Sequence, residues 1–145
     1  MKRLTELFAG TWRGDETLYP SAWDPKGGPA SGVWTVRSVC DGWALAVDYD
    51  ESRDGKVAYR GHGVHAWDAR DRAFYTYWFD SIGMAPKSAV RATLDGERYT
   101  YVDISPMGQS RFTYAFTGGE LAFSIELSRD GRSWSPMHEG RYRRD

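Results

Sequence analysis

Residues 111–126 read Arg111-Phe112-Thr113-Tyr114-Ala115-Phe116-Thr117-Gly118-Gly119-Glu120-Leu121-Ala122-Phe123-Ser124-Ile125-Glu126. Two runs with a large apolar residue at every second position flank a Gly-Gly pair, which supplies the positive φ that a two-residue hairpin loop demands. Closing that loop sets Phe116 opposite Leu121, Tyr114 opposite Phe123 and Phe112 opposite Ile125. Thr113 then faces Ser124, and Arg111 faces Glu126, on the other side. One side of this ribbon is wholly apolar, which is the pattern of a half-buried antiparallel pair.

The same signal repeats along the chain. Asp41-Gly42, Asp54-Gly55, Asp68 to Asp71, Asp95-Gly96 and Asp130-Gly131 punctuate segments of Val, Thr, Tyr, Phe and Trp that suit a pleated surface better than a helix. Across Asp41-Gly42, Trp34, Val36, Ser38 and Cys40 share a face with Trp43, Leu45, Val47 and Tyr49. Across Asp130-Gly131, a two-residue loop sets Leu127 opposite Trp134 and Phe123 opposite His138, with Tyr142 further along the inward face. At Asp54-Gly55 two registers compete. A two-residue loop sends Arg60, His62 and Val64 inward; a three-residue loop with Gly55 in a bulge sends Tyr59, Gly61, Gly63, His65 and Trp67 inward and lets Gly61 make room for Trp78. The second is preferred.

About ten such strands and no helix to cover a flat sheet predict an all-β chain. The expected fold is a single domain over 1–145, an up-and-down antiparallel β-barrel whose closure removes free edges. The one helical stretch, residues 2–8, brings Leu4, Leu7 and Phe8 to one face and is expected to plug an end of the barrel. Residues 20–32, rich in Pro and Gly and carrying Trp23, are the one long irregular connection, a lid or a plain surface excursion.

Composition narrows the function. The 145 residues carry 19 Lys plus Arg against 20 Asp plus Glu, a net charge of -1, so the basic field of a nucleic-acid binder is missing. The longest apolar run is about five residues (Trp43 to Val47), against the roughly 20 of a membrane span. The N-terminus lacks the apolar core of a signal peptide. The expected location is the cytoplasm, with neither membrane nor nucleic acid as partner. Aromatic residues make up 15% of the chain, including seven Trp, against a lone Cys40.

Gly10-Thr11-Trp12 at the start of the first strand resembles the Gly-x-Trp of lipocalins and other calycins. With Gly14 and Glu16, the same opening resembles nitrobindin-like and fatty-acid-binding-protein-like barrels. Trp67-Asp68-Ala69-Arg70-Asp71, Tyr75 to Gly83, Asp130-Gly131-Arg132-Ser133-Trp134 and Tyr142-Arg143-Arg144 together resemble domain-of-unknown-function family 1579, bacterial barrels of the calycin neighbourhood. That resemblance implies a calycin-like barrel and no settled activity. The nitrobindin likeness implies haem on His138, in Met137-His138-Glu139-Gly140-Arg141.

Four functional readings follow. The leading one is a noncatalytic barrel holding a small hydrophobic or aromatic molecule in a cavity lined by Trp34, Val47, Tyr99, Tyr101, Phe123, His138, His65 and Trp78. The second is haem on His138. The third is a small isomerase or hydrolase in the same cavity, acting through His65 or His138, although no nucleophile or dinucleotide motif supports it and no catalytic residue is assigned. The fourth is an interaction module. No metal site is expected, because His62 and His65, three apart on a strand, point to opposite faces. Tyr75, Tyr77 and Phe79 alternate with Phe74, Thr76 and Trp78, so one aromatic side of that strand must lie outside, where a homodimer could cover it.

Overall fold

A computed structural model describes residues 1–145. One helix, α1 (Lys2–Phe8), precedes ten strands: β1 (Gly10–Leu18), β2 (Gly28–Val39), β3 (Ala44–Arg53), β4 (Lys56–Asp68), β5 (Ala73–Asp80), β6 (Val90–Asp95), β7 (Arg98–Ser105), β8 (Gly108–Thr117), β9 (Glu120–Ser128) and β10 (Ser135–Arg144). Each strand pairs antiparallel with its neighbours in sequence and β10 returns to β1, so the sheet is a closed up-and-down barrel. The β8–β9 hairpin has the register read from its Gly-Gly loop, Phe116 to Leu121, Tyr114 to Phe123 and Phe112 to Ile125.

Aromatic rings fill the interior. Trp34 stacks on Tyr49 at 4.1 Å and meets Phe123 at 5.0 Å, Tyr114 at 5.6 Å, Trp78 and Tyr142 at 6.1 Å and Phe8 at 6.2 Å between ring centroids. Rings at these separations and tilts add to the area they bury. Helix α1 closes one end: Leu4 and Phe8, four residues apart on one face, are fully buried, and the Phe8 carbonyl accepts a 2.8 Å hydrogen bond from Trp12 Nε1. Burying each of these two side chains contributes about 1.5–3 kcal/mol, which anchors a helix too short to persist alone. The opposite end, where β1 finishes and β2 begins, is the mouth.

Three sequence readings need correction. The Asp54-Gly55 loop has two residues, with φ of 50° and 72°, and pairs Arg53 with Lys56. A bulge further along moves the register by one, so Glu51 meets Tyr59 and the inward set is still Tyr59, Gly61, Gly63 and His65. At Asp130-Gly131 the connection is longer, because Asp130 Oδ1 accepts the backbone N–H groups of Arg132 and Ser133 at 2.8 Å each and extends the turn. That extra length and a bulge at Met137 each shift the register by one; His138 meets Ile125 and Gly140 meets Phe123, and His138 stays inward. Trp134 falls outside the strand and lies under the Arg111 guanidinium at 4.1 Å, on the outer surface. Trp43 and Cys40 belong to the β2–β3 turn and are exposed, although Trp34, Val36 and Ser38 do face Tyr49, Val47 and Leu45.

The barrel wall has one weak seam. β5 pairs with β6 only over Phe74–Thr76, and β6 with β7 only from Ala92, so Tyr77–Asp80 and Val102–Ser105 lack ladder partners on the β6 side. The 81–89 connection spans this notch at the mouth.

Gly61 and Gly63 sit beneath the Trp78 indole. A Cβ on Gly61 would overlap Trp78 Cζ2, and one on Gly63 would stand 2.6 Å from Cε3. Gly61→Ala is therefore expected to cost about 1–3 kcal/mol. Urea melts should also show this cost coupled to Trp78→Leu in a double-mutant cycle; additive costs would mean the ring is not what the glycine accommodates.

Candidate functional site

Strand parity and two clusters of polar side chains define the interior site. All eight residues expected to line a cavity face inward: Trp34, Val47, Tyr99, Tyr101, Phe123, His65 and His138 are buried and Trp78 is half-buried. They divide by depth.

His65 lies deep, beneath α1, with its ring 6.1 Å from Phe8 and 5.9 Å from Tyr114. Its Nδ1 is 2.8 Å from Thr76 Oγ1, which lies 2.8 Å from the Tyr99 hydroxyl. His65 Nε2 is buried without a partner. Burial pushes its pKa down to about 3, because nothing nearby offsets the loss of water around the imidazolium. His62, its neighbour in the His-x-x-His spacing, is outside, 2.6 Å from Asp48 Oδ1.

The second cluster lies toward the mouth and centres on a residue that sequence reasoning placed only in a motif. Glu16, on β1, is 4% exposed, and its carboxylate accepts the Tyr49 hydroxyl at 2.8 and 2.9 Å and the Tyr142 hydroxyl. Burial, with Glu16 adding to it, raises the pKa of both phenols far above the ordinary value, so they are donors. A Cβ on Gly32 would overlap Glu16 Oε1, so only glycine there lets the carboxylate lie flat against β2. His138 Nε2 stands 3.5 Å from Glu16 Oε2 and has no hydrogen bond. Phe123 packs at 5.3 Å and Tyr49 at 6.4 Å from the imidazole. The signal available in the sequence was Glu16 itself, an acidic residue at an inward parity position of the first strand.

Further charges ring the mouth. Arg53 bridges Glu51 Oε1 at 3.0 Å and Asp24 Oδ2 at 2.6 Å, tying the β1–β2 loop to β3. That loop covers only 19–27, since β2 already begins at Gly28. Asp80 Oδ2 is 3.5 Å from the Tyr59 hydroxyl, which accepts Trp78 Nε1 at 2.9 Å. A concavity of about 540 Å³ lies on the outer wall over Thr113, Ala122 and Ser124, rimmed by Asp15, Glu139, Arg98 and Arg141, and Glu16 and Phe123 also contribute to its lining. Its three carboxylates outnumber its two guanidiniums. No three His, Cys, Asp or Glu side chains gather to hold a metal ion, and no helix is long and apolar enough to cross a membrane.

Fold and site together define a closed ten-stranded barrel with an aromatic interior and a buried polar cluster near its mouth. No family model and no curated protein matches the sequence. Among solved structures the chain is similar to Rv2717c from M. tuberculosis, with a TM-score of 0.72 and 15% identity over 99% of this chain and 96% of that one. At that identity the likeness shows the barrel fold alone.

The buried His65 gives a pH dependence with a definite sign. Above pH 6.5 it is neutral in both states; between pH 6.5 and about 3 the unfolded chain takes up a proton that the folded chain refuses. Stability is lost as pH falls through that window, at up to about 1.4 kcal/mol per unit from this group. Urea melts from pH 7 to pH 4 should show a shallower decline in His65→Gln than in the wild type, and parallel lines would remove His65 as the cause.

Proposed function

We propose that the protein binds a small, largely apolar molecule inside the barrel, without catalysis, at the mouth-side end of the aromatic interior. The observation that carries this reading is His138 Nε2, a buried polar atom with no hydrogen-bond partner among aromatic walls. Buried polar atoms are nearly always satisfied, so atoms left open toward the interior point to an occupant that satisfies them. Trp34 and His138 both pack on Phe123 and Tyr49, which gives the molecule aromatic walls and one polar end. The calycin-like, family-1579 reading is kept with this proposal, supported by Gly10-Thr11-Trp12 opening β1 of a closed up-and-down barrel. The exposed, unpaired Cys40 fits the cytoplasm.

Haem on His138 is the second reading, favoured by the same open Nε2. The residues present do not fit it. A porphyrin ring on Nε2 would need a broad flat space that Glu16 Oε2, 3.5 Å away and held by the Tyr49 hydroxyl, and the Phe123 ring, 5.3 Å from the imidazole, do not leave.

Four measurements test these statements. Native mass spectrometry of the purified protein should show a species heavier than 16.5 kDa, and a matching small molecule should raise the melting temperature. At a hundredfold excess over Kd the stabilisation is about 2.7 kcal/mol, or roughly 5–10 °C for a chain of this size. A bare mass with no shift across an aromatic and lipid panel would end the binding proposal. Mixing with hemin should give no Soret band that His138→Ala abolishes, and such a band would reinstate haem. The strip of Tyr75, Tyr77 and Phe79 lies on the outer wall with Tyr77 and Phe79 exposed, which supports a homodimer through β5. Light scattering should then give twice 16.5 kDa, falling to the monomer in Tyr77→Lys/Phe79→Lys.

A further inference from the structure

We infer that the molecule bound at the mouth is an organic cation, an apolar body ending in a protonated primary or secondary amine that rests against Glu16. This deepens the binding proposal above and depends on it. The first support is the charge inventory of the mouth. Among the buried and half-buried side chains named there, Glu16, Glu51, Asp24 and Asp80 are four carboxylates and Arg53, shared between Asp24 and Glu51, is the one guanidinium; Lys26, Lys56, Lys87, Arg129 and Arg132 on the surrounding turns are exposed. Glu16 is the deepest of the four and is held by hydroxyl groups, which stabilise its charge without cancelling it. Burying a carboxylate without a cation is costly, and its attraction for an incoming positive charge is correspondingly strong in so apolar a setting.

The second support is the imidazole beside Glu16. His138 Nε2, on a side chain 5% exposed, lacks a partner and stands 3.5 Å from Glu16 Oε2, too far to serve as one. With Nε2 as an acceptor, a ligand group seated between the two must give one hydrogen to the carboxylate and another to the imidazole. A primary or secondary ammonium carries at least two N–H donors and meets both demands. A ligand hydroxyl has one hydrogen and meets one. A carboxylate or phosphate meets neither and is repelled by Glu16. The Tyr49 and Phe123 rings, 6.4 and 5.3 Å from the imidazole, give the apolar body of the ligand its walls. A metal ion is a poorer occupant, since one carboxylate and one imidazole are the only strong ligands that converge there.

The test uses matched bodies that differ only in the end group: tryptamine, tryptophol and indole-3-acetate, and the corresponding phenethyl series, titrated calorimetrically into the full chain at pH 7. Each amine should bind at least tenfold more tightly than its alcohol, and the carboxylates should not bind measurably. Glu16→Gln should bring amine and alcohol to within about threefold of each other. Alcohols that match or exceed the amines, or an amine preference that survives in Glu16→Gln, would overturn the cation inference and leave the binding proposal standing. Silence from all six probes, with a bare mass in native spectrometry, would remove the binding proposal and this inference with it. The amine-to-alcohol ratio is read on the wild-type chain, so the test holds even if Glu16→Gln does not fold.

Discussion

Closure of the sheet is the constraint on which everything else rests. Once β10 returns to β1, each strand residue faces either a space some few rings wide or the solvent, and neighbouring strands must agree on which. The Trp34 indole shows what that agreement achieves. Rings from α1, β3, β5, β8, β9 and β10 reach it, so elements far apart in sequence share one packed centre. A strand of the wrong parity would withdraw a ring from that centre and thrust a charge into its place.

Within this apolar interior the polar groups are few and placed in two tiers. The deep tier of His65, Thr76 and Tyr99 is small, neutral and roofed by Phe8. The outer tier, Glu16 with Tyr49, Tyr142 and His138, carries charge and lies nearer the mouth, where Glu51, Arg53 and Asp24 continue it toward solvent. The gradient from uncharged to charged runs along the barrel axis.

Much of this was legible in the residues. Period-two alternation and Gly-containing turns specify the strands, and the closed barrel follows from them together with the scarcity of helix. The inward placement of His65 and His138 was legible for a subtler reason. At the Asp54-Gly55 and Asp130-Gly131 turns the chain contains a bulge beyond the loop, and bulge and loop together restore the parity that the apolar pattern requires. Trp134 and Trp43 were misread because alternation was carried into turn residues, where Asx hydrogen bonds and a 3-10 turn set the direction of the side chain instead. Glu16 could not be singled out as a centre from sequence. Its partners come from β3 and β10, and no local pattern announces that two phenols and an imidazole will meet one carboxylate.

The seam beside β6 bears on time rather than on affinity. The ladder joining β5 to β6 holds only three residue pairs, the shortest in the barrel, and the strand edges beyond it are already without partners. Parting the wall there breaks fewer backbone hydrogen bonds than parting it anywhere else, so a local excursion at this line is more frequent than any opening that disturbs the Trp34 centre. A guest held inside would leave at the rate of that excursion. Residence time and global stability would then be set by different parts of the molecule, and a change to the 81–89 connection would alter one with little effect on the other.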